Sequence, residues 1–185
     1  MDTSFKANPL AQPNPTAGLA TRLGVRFGVG VGAVCALWMM GLQLTGNNGF
    51  GPKQILAQLL VPLVAVASQW ILRRQLKPEK PGLGRSLGVG MLTVLVAALI
   101  SAGSLVGLAY GAGEKALAVH RAEILEIVRA QQRENSKVEL SPQQKQQQLQ
   151  KVANVSVGDM AISNFTQLVL LGLVLAVPSG IFLRE

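Results

Sequence analysis

Charge is what this sequence has least of. Asp, Glu, Lys and Arg make up 14% of its 185 residues, against roughly a quarter in an ordinary soluble domain. Apolar residues make up 49%, and mean hydropathy is +0.37. Two stretches, 86–113 and 160–183, contain none of the four charged types, and each exceeds the ~20 residues that cross a bilayer core. A soluble globule and a disordered chain are therefore excluded. A single cysteine, Cys35, excludes an intrachain disulfide framework. It stands inside an apolar run and reads as a small buried side chain. His120 is the only histidine. Without HExxH-type spacing or a nearby cysteine it cannot supply the three protein ligands of a catalytic zinc, and it is expected on the wet face of an outer helix. Aromatic residues, at 4%, do not interleave with a basic patch, so the net charge of +8 is no nucleic-acid footprint. The basic residues instead flank the apolar segments, where the positive-inside rule puts them.

What is present is a four-fold apolar pattern. Residues 1–21 hold Pro9, Pro13 and Pro15 among small polar residues, and read as a flexible tail. The remainder, 22–185, reads as one membrane domain. Arg22 and Arg26 precede a first span at about 27–46. It resembles a signal peptide, but it is long for one and no small-x-small cleavage site precedes GNNGFG, so a retained helix is expected. Asn47, Asn48, Gly49, Gly51 and Pro52 make a turn. A second span covers about 55–72 with Pro62 as a kink, and the basic link KPEKPGLGRS follows. A third span, about 87–112, is long enough that it must tilt or protrude. Residues 114–159 form the only sizeable polar region, with Leu117, Ile124, Leu125 and Val128 at helical spacing. Ser141-Pro142-Gln143-Gln144 is a helix-start signal. The expectation is an outward helical hairpin turning near 135–140, followed by a last span at 160–183. The fold class is thus all-α: an integral membrane four-helix bundle with an extramembrane helical hairpin between its third and fourth spans.

Lysine and arginine counts set an expected orientation. The amino segment has Lys6, Arg22 and Arg26, the second link has five basic residues, and the carboxy end has Arg184, whereas the first link has only Lys53. Both termini are therefore expected on the cytoplasmic side of the membrane.

Small residues recur every four positions within the spans: Gly24, Gly28, Gly32 and Ala36 in the first, Gly103, Gly107 and Gly111 in the third, and Gly172, Ala176 and Gly180 in the fourth. Such stripes let helix backbones approach closely where lipid supplies no hydrophobic drive. They are expected to pack helices within the bundle or between subunits. GVGVGAV lacks both the G-x-G-x-x-G spacing and a Walker lysine, so it is no nucleotide loop. Ser101, Ser104 and Ser163 have no base at helical spacing, and a nucleophile without one is inert. No catalytic group, cofactor or metal is expected. Candidate polar-path residues are Gln69, Asn164 and Gln167, with Glu114 and Asp159 as a pair at the mouths of the third and fourth spans. None of the intramembrane ones is ionisable, which counts against an ion-coupled pump.

Several segments together resemble a family of small bacterial four-helix membrane proteins, found chiefly among Bacteroidota and catalogued only as a domain of unknown function. They are GLATRLGVRFGVGVG, GLGRSLGVGMLTVLVAALIS, EILEIVRAQQRENSKVELSPQQKQQQLQKV and the final apolar span. The resemblance covers roughly 20–185 and departs in the hairpin, where glutamine replaces much of the expected glutamate. It implies the four-span topology and a place in a bacterial inner membrane, and transfers no catalytic residue. The leading expectation is a non-enzymatic accessory or scaffold subunit that contacts membrane lipids and another membrane protein or a second copy. The alternative is an oligomeric small-molecule permease or channel.

Overall fold

The computed structural model describes residues 15–134 and 141–183. The expected turn at 135–140, most of the amino tail and Arg184 lie outside them. Among the described residues the order is α1 (Pro15–Leu44), a 3-10 turn (Pro52–Gln54), α2 (Ile55–Gln58), α3 (Leu60–Leu76), α4 (Gly82–Glu134), α5 (Pro142–Ala153) and α6 (Val157–Phe182), with no strand. Four helical segments are long and apolar enough to cross a membrane: Gly18–Leu44, Pro52–Leu76, Gly82–Arg133 and Val157–Phe182. Their outward faces carry Leu37, Leu99, Leu170 and Val174, while Ala65, Ala97 and Ala176 are fully buried. Large apolar side chains outside and small ones inside suit a bundle whose solvent is lipid.

The helices form a diamond. α3 and α4 touch across its short diagonal, and each packs against both α1 and α6, which stand at the far corners. Direction follows from the pairings. Gly24, Gly28 and Gly32 of α1 meet Leu92, Val96 and Ile100 of α4 in the same order, whereas Gly172 and Gly180 of α6 meet Val94 and Leu87 in reverse. The spans therefore run up, down, up, down. One end carries the 45–54 connection, the start of α6 and the extension of α4; it is called the hairpin end below. Trp38 and Trp70 lie near opposite ends, where Trp38 donates to the Lys53 carbonyl at 3.0 Å and Arg74 lies 5.5 Å from the Trp70 ring. Interfacial tryptophan is the pattern expected of membrane helices.

Three details bear on the sequence expectation. α1 begins at Pro15, inside the stretch read as a flexible tail over 1–21, because proline is pre-set for the first helical position. The second span follows the expectation of an irregularity at Pro62: α2 ends at Gln58 and α3 begins at Leu60, while Leu59 between them keeps helical angles; Pro62 has no N–H for the Gln58 carbonyl, and its ring crowds that residue. Gly103, Gly107 and Gly111 pack against nothing in the described chain, since a Cβ added at any of them meets open space. The face α4 presents to its neighbours is instead Thr93, Ala97, Ser101, Leu105 and Ala109, all buried. The stripes of α1 and α6 do pack within the bundle, with Ala36 buried and Ala176 fully so.

α4 bends at Gly113, whose φ of 75° and ψ of 177° lie outside helical space. A positive φ is strained for any residue with a Cβ, and glycine relieves it. Beyond the bend, residues 114–134 pair with α5 and the link after it: Gln132 Nε2 donates to Gln148 Oε1 of α5 at 3.0 Å, and Arg121 Nε to the Val155 carbonyl of the link at 3.1 Å. α5 starts where the sequence signals it. Gln144 N–H donates to Ser141 Oγ at 3.3 Å, and Ser141 N–H to Gln144 Oε1 at 3.0 Å, a reciprocal capping box.

Candidate functional site

Polar side chains inside the bundle gather in two layers. Toward the hairpin end, Ser101 Oγ of α4 donates to Asn164 Oδ1 of α6 at 3.0 Å, and Asn164 Nδ2 donates to Gln54 Oε1 at 3.1 Å. The other layer lies deeper. Gln69 Nε2 donates to the Ala176 carbonyl at 2.9 Å, Ser179 Oγ donates to Gln69 Oε1, and Thr93 Oγ1 stands 3.1 Å from Ser68 Oγ. Asn164 and Ala176 are twelve residues apart on one helix, about 18 Å along its axis. Between the layers lie Val61, Ala65, Ala97 and Leu168, all fully buried. The bundle is thus sealed by apolar packing in its middle third.

A cavity of about 580 Å³ opens into the first layer. Its walls are mostly apolar, with Phe50, Ile55, Leu105, Ile124 and Met160 among them; Gln54, Gln58, Asn164, Gln167 and Ser163 supply hydrogen-bonding groups, and Asp159 the one carboxylate. Gln58 is 3% exposed, and its Oε1 has no hydrogen-bond partner among the described residues. Buried amides are ordinarily satisfied, so an orphaned oxygen calls for a donor that the chain itself does not supply.

Of the expected polar path, Asn164, Gln167 and Asp159 do line one cavity. Gln69 belongs to the other layer, behind the seal. Glu114 is absent from the lining and does not pair with Asp159: its carboxylate accepts from Arg121 Nη1 at 2.6 Å. Asp159 caps α6, its Oδ2 accepting from Ser156 Oγ at 2.6 Å and Ser156 N–H at 3.1 Å. The two donated bonds hold its pKa below the usual carboxylate value. Sequence reasoning missed Gln54 and Gln58. They stand at i and i+4 at the start of an apolar run, a spacing that puts both on one helix face.

His120 is a correction. It was expected on a wet face; it is 6% exposed and lines the cavity. Its ring centroid lies 5.7 Å from that of Phe50, and Asn48 Nδ2 reaches both His120 Nδ1 at 3.1 Å and Glu123 Oε2 at 2.5 Å. The amide N–H donates, so Nδ1 accepts and the ring proton is assigned to Nε2. This clamp ties the 45–51 connection over the cavity rim. Burial lowers the His120 pKa from 6.5; Glu123 opposes the shift and Arg121 adds to it. The unfolded chain therefore binds a proton at higher pH than the folded one. Stability is full above about 6.5, falls as pH drops from there to the folded-state pKa, and levels off below it. Thermal unfolding at a series of pH values should show this slope, and His120→Gln should flatten it.

Among the described residues no group of three His, Cys, Asp or Glu is placed to hold a metal. These features define an all-α membrane bundle with a mostly apolar cavity that carries a few amide side chains. The chain belongs to the family described as "Protein of unknown function (DUF4199)", whose sequence model matches residues 26–185. No curated protein and no solved structure matches it.

Proposed function

We propose that the protein is a non-enzymatic permease-type membrane protein that captures a small solute at the hairpin end of its bundle. The observation that carries this reading is the orphaned, buried Gln58 oxygen beside the Gln54–Asn164–Ser101 relay, at the inner end of a cavity. Ligand sites are typically mostly apolar clefts with a few convergent polar groups. Two polar layers parted by an apolar middle suit alternating access around a site within the bundle. The basic residues flanking the spans favour cytoplasmic termini in a bacterial inner membrane, so the cavity opens outward.

Single cysteines in a Cys35→Ser background test this reading with a membrane-impermeant thiol reagent. Gln54→Cys is expected to react from the hairpin side alone, and Gln69→Cys from the opposite side alone. Labelling of neither position from either side would overturn the permease reading.

An accessory-subunit role is a second reading, favoured by the unpacked Gly103, Gly107 and Gly111 and by exposed Val119 and Ile127 on the α4 extension. Weighing the assembly in lipid nanodiscs separates the two: a co-purifying membrane protein supports the accessory role.

A further inference from the structure

The solute can be specified more closely, on the premise that the cavity is a solute site. Three features of the lining constrain it. At the inner end, Gln58 Oε1 is an acceptor without a donor among the described residues. At the mouth, the only formally charged lining group is the Asp159 carboxylate, and no lysine or arginine lines the cavity among the described residues. The nearby cations are engaged elsewhere: Arg121 with Glu114 and the Val155 carbonyl, and Lys53 with Asn47 Oδ1 at 2.5 Å. The wall between mouth and floor is apolar, formed by Ile55, Leu105, Ile124 and Met160.

The vertical spacing follows from the helices. Gln54 and Asn164 are bonded and so share a level. Asp159 precedes Asn164 by five residues and Gln58 follows Gln54 by four, so carboxylate and orphaned amide lie about 13 Å apart along the bundle at 1.5 Å per residue. Side chains reaching toward each other shorten the gap that a ligand must fill to a chain of several methylenes. A charge at the Gln58 level would be stripped of water, at a cost the amides do not repay. The donor for Gln58 is therefore neutral. At the mouth Asp159 is exposed, and a cation there keeps part of its hydration.

We propose that the cavity binds a short amphiphile of the amino-alcohol or amino-amide class, with a neutral O–H or N–H donated to Gln58, an apolar middle along α4 and α6, and an ammonium facing Asp159. Anionic solutes are disfavoured by the same carboxylate.

Ligand-observed saturation-transfer NMR on the full chain in lipid nanodiscs tests this, with empty nanodiscs subtracted for partitioning. The probes are 6-amino-1-hexanol, hexylamine, 1-hexanol and 6-hydroxyhexanoate. For a ligand of this size a millimolar dissociation constant is the order of magnitude to expect. The amino alcohol should bind best and the hydroxy acid worst. Gln58→Leu should weaken the amino alcohol about tenfold, at the upper end of a neutral hydrogen bond's net worth. Asp159→Asn, which keeps an oxygen for the Ser156 cap, should weaken it about threefold and leave 1-hexanol unchanged, as suits an exposed charge pair. Equal binding of the hydroxy acid, or indifference of the amino alcohol to Gln58→Leu, overturns the solute class. Absence of binding by all four probes also overturns it. The cysteine labelling decides separately whether the solute-capture reading stands.

Discussion

Gly28→Leu is expected to prevent the bundle from assembling, and Gly28→Ala to lower its stability by about 3 kcal/mol, the upper end of overpacking costs. A Cβ at this position falls 2.7 Å from Val96 Cβ and 2.8 Å from the Thr93 carbonyl oxygen. Neither obstacle can swing away. One is the first carbon of a β-branched side chain and the other is helix backbone. Thr93 is further held by its hydroxyl, which stands 2.9 Å from the Val89 carbonyl and 3.1 Å from Ser68 Oγ. α1 would have to back off from α4, opening the most extensive helix pairing among the described residues. The helix propensity that alanine gains over glycine, about 1 kcal/mol, offsets only part of this. Gly107→Ala is the control. It meets open space, so it should unfold at the wild-type temperature or slightly above. Thermal unfolding of both variants in one lipid or detergent system decides the matter. A Gly28→Ala protein that melts with the wild type would sink the α1–α4 packing described here.

The contrast between Gly28 and Gly107 also marks how far sequence can be read. Both stand in the same small-xxx-small spacing. That spacing says a backbone can be approached closely, and it does not say by what. The neighbour of Gly28 is fixed by the order of the whole bundle, which lies in the pairing of Leu92, Val96 and Ile100 with α1 rather than in either stripe alone. The spans themselves were legible because a charge-free run longer than a bilayer core is rarely anything but a membrane helix. The cap at Ser141 was legible because its hydrogen bonds are local to four residues. Pro15 was ambiguous for a physical reason: proline suits both a tail and the first turn of a helix.

The candidate site was legible only in part. Asn164 and Gln167 stand out as polar residues within the charge-free run 160–183. Gln54 and Gln58 stand at the start of the second span and look like its wet edge, although the chain buries both. His120 could have been placed correctly. Leu117, His120 and Ile124 follow i, i+3, i+7 spacing, which puts the imidazole on the inward face of its helix. Glycine at 113 and the Asn48 clamp then decide what that face meets.

Asn164→Leu is the substitution expected to affect the site most, and its cost in stability should be smaller than simple bookkeeping suggests. The change removes the acceptor of the Ser101 hydroxyl and the donor to Gln54 Oε1 in one step. In water-soluble proteins two buried groups orphaned at about 1–3 kcal/mol each would sum to several kcal/mol. Hydrogen bonds between membrane helices average nearer ~0.6 kcal/mol, because the unfolded state in lipid also finds partners. Local escape routes point the same way. Ser101 can turn to the Ala97 carbonyl one helical turn back, and Gln54 lines the cavity, where water can reach it. A loss of about 1–2 kcal/mol follows, with the bundle still inserted and folded. Solute capture, in contrast, should be lost outright, since the relay that positions Gln54 over the cavity is gone. A double-mutant cycle reads the relay directly. Ser101→Ala should cost about 1 kcal/mol in the wild type and much less once Asn164 is leucine, because the bond between the two helices is then already gone. Additive losses would mean that the Ser101–Asn164 bond contributes nothing, and that the amides at the cavity floor are held by backbone packing alone.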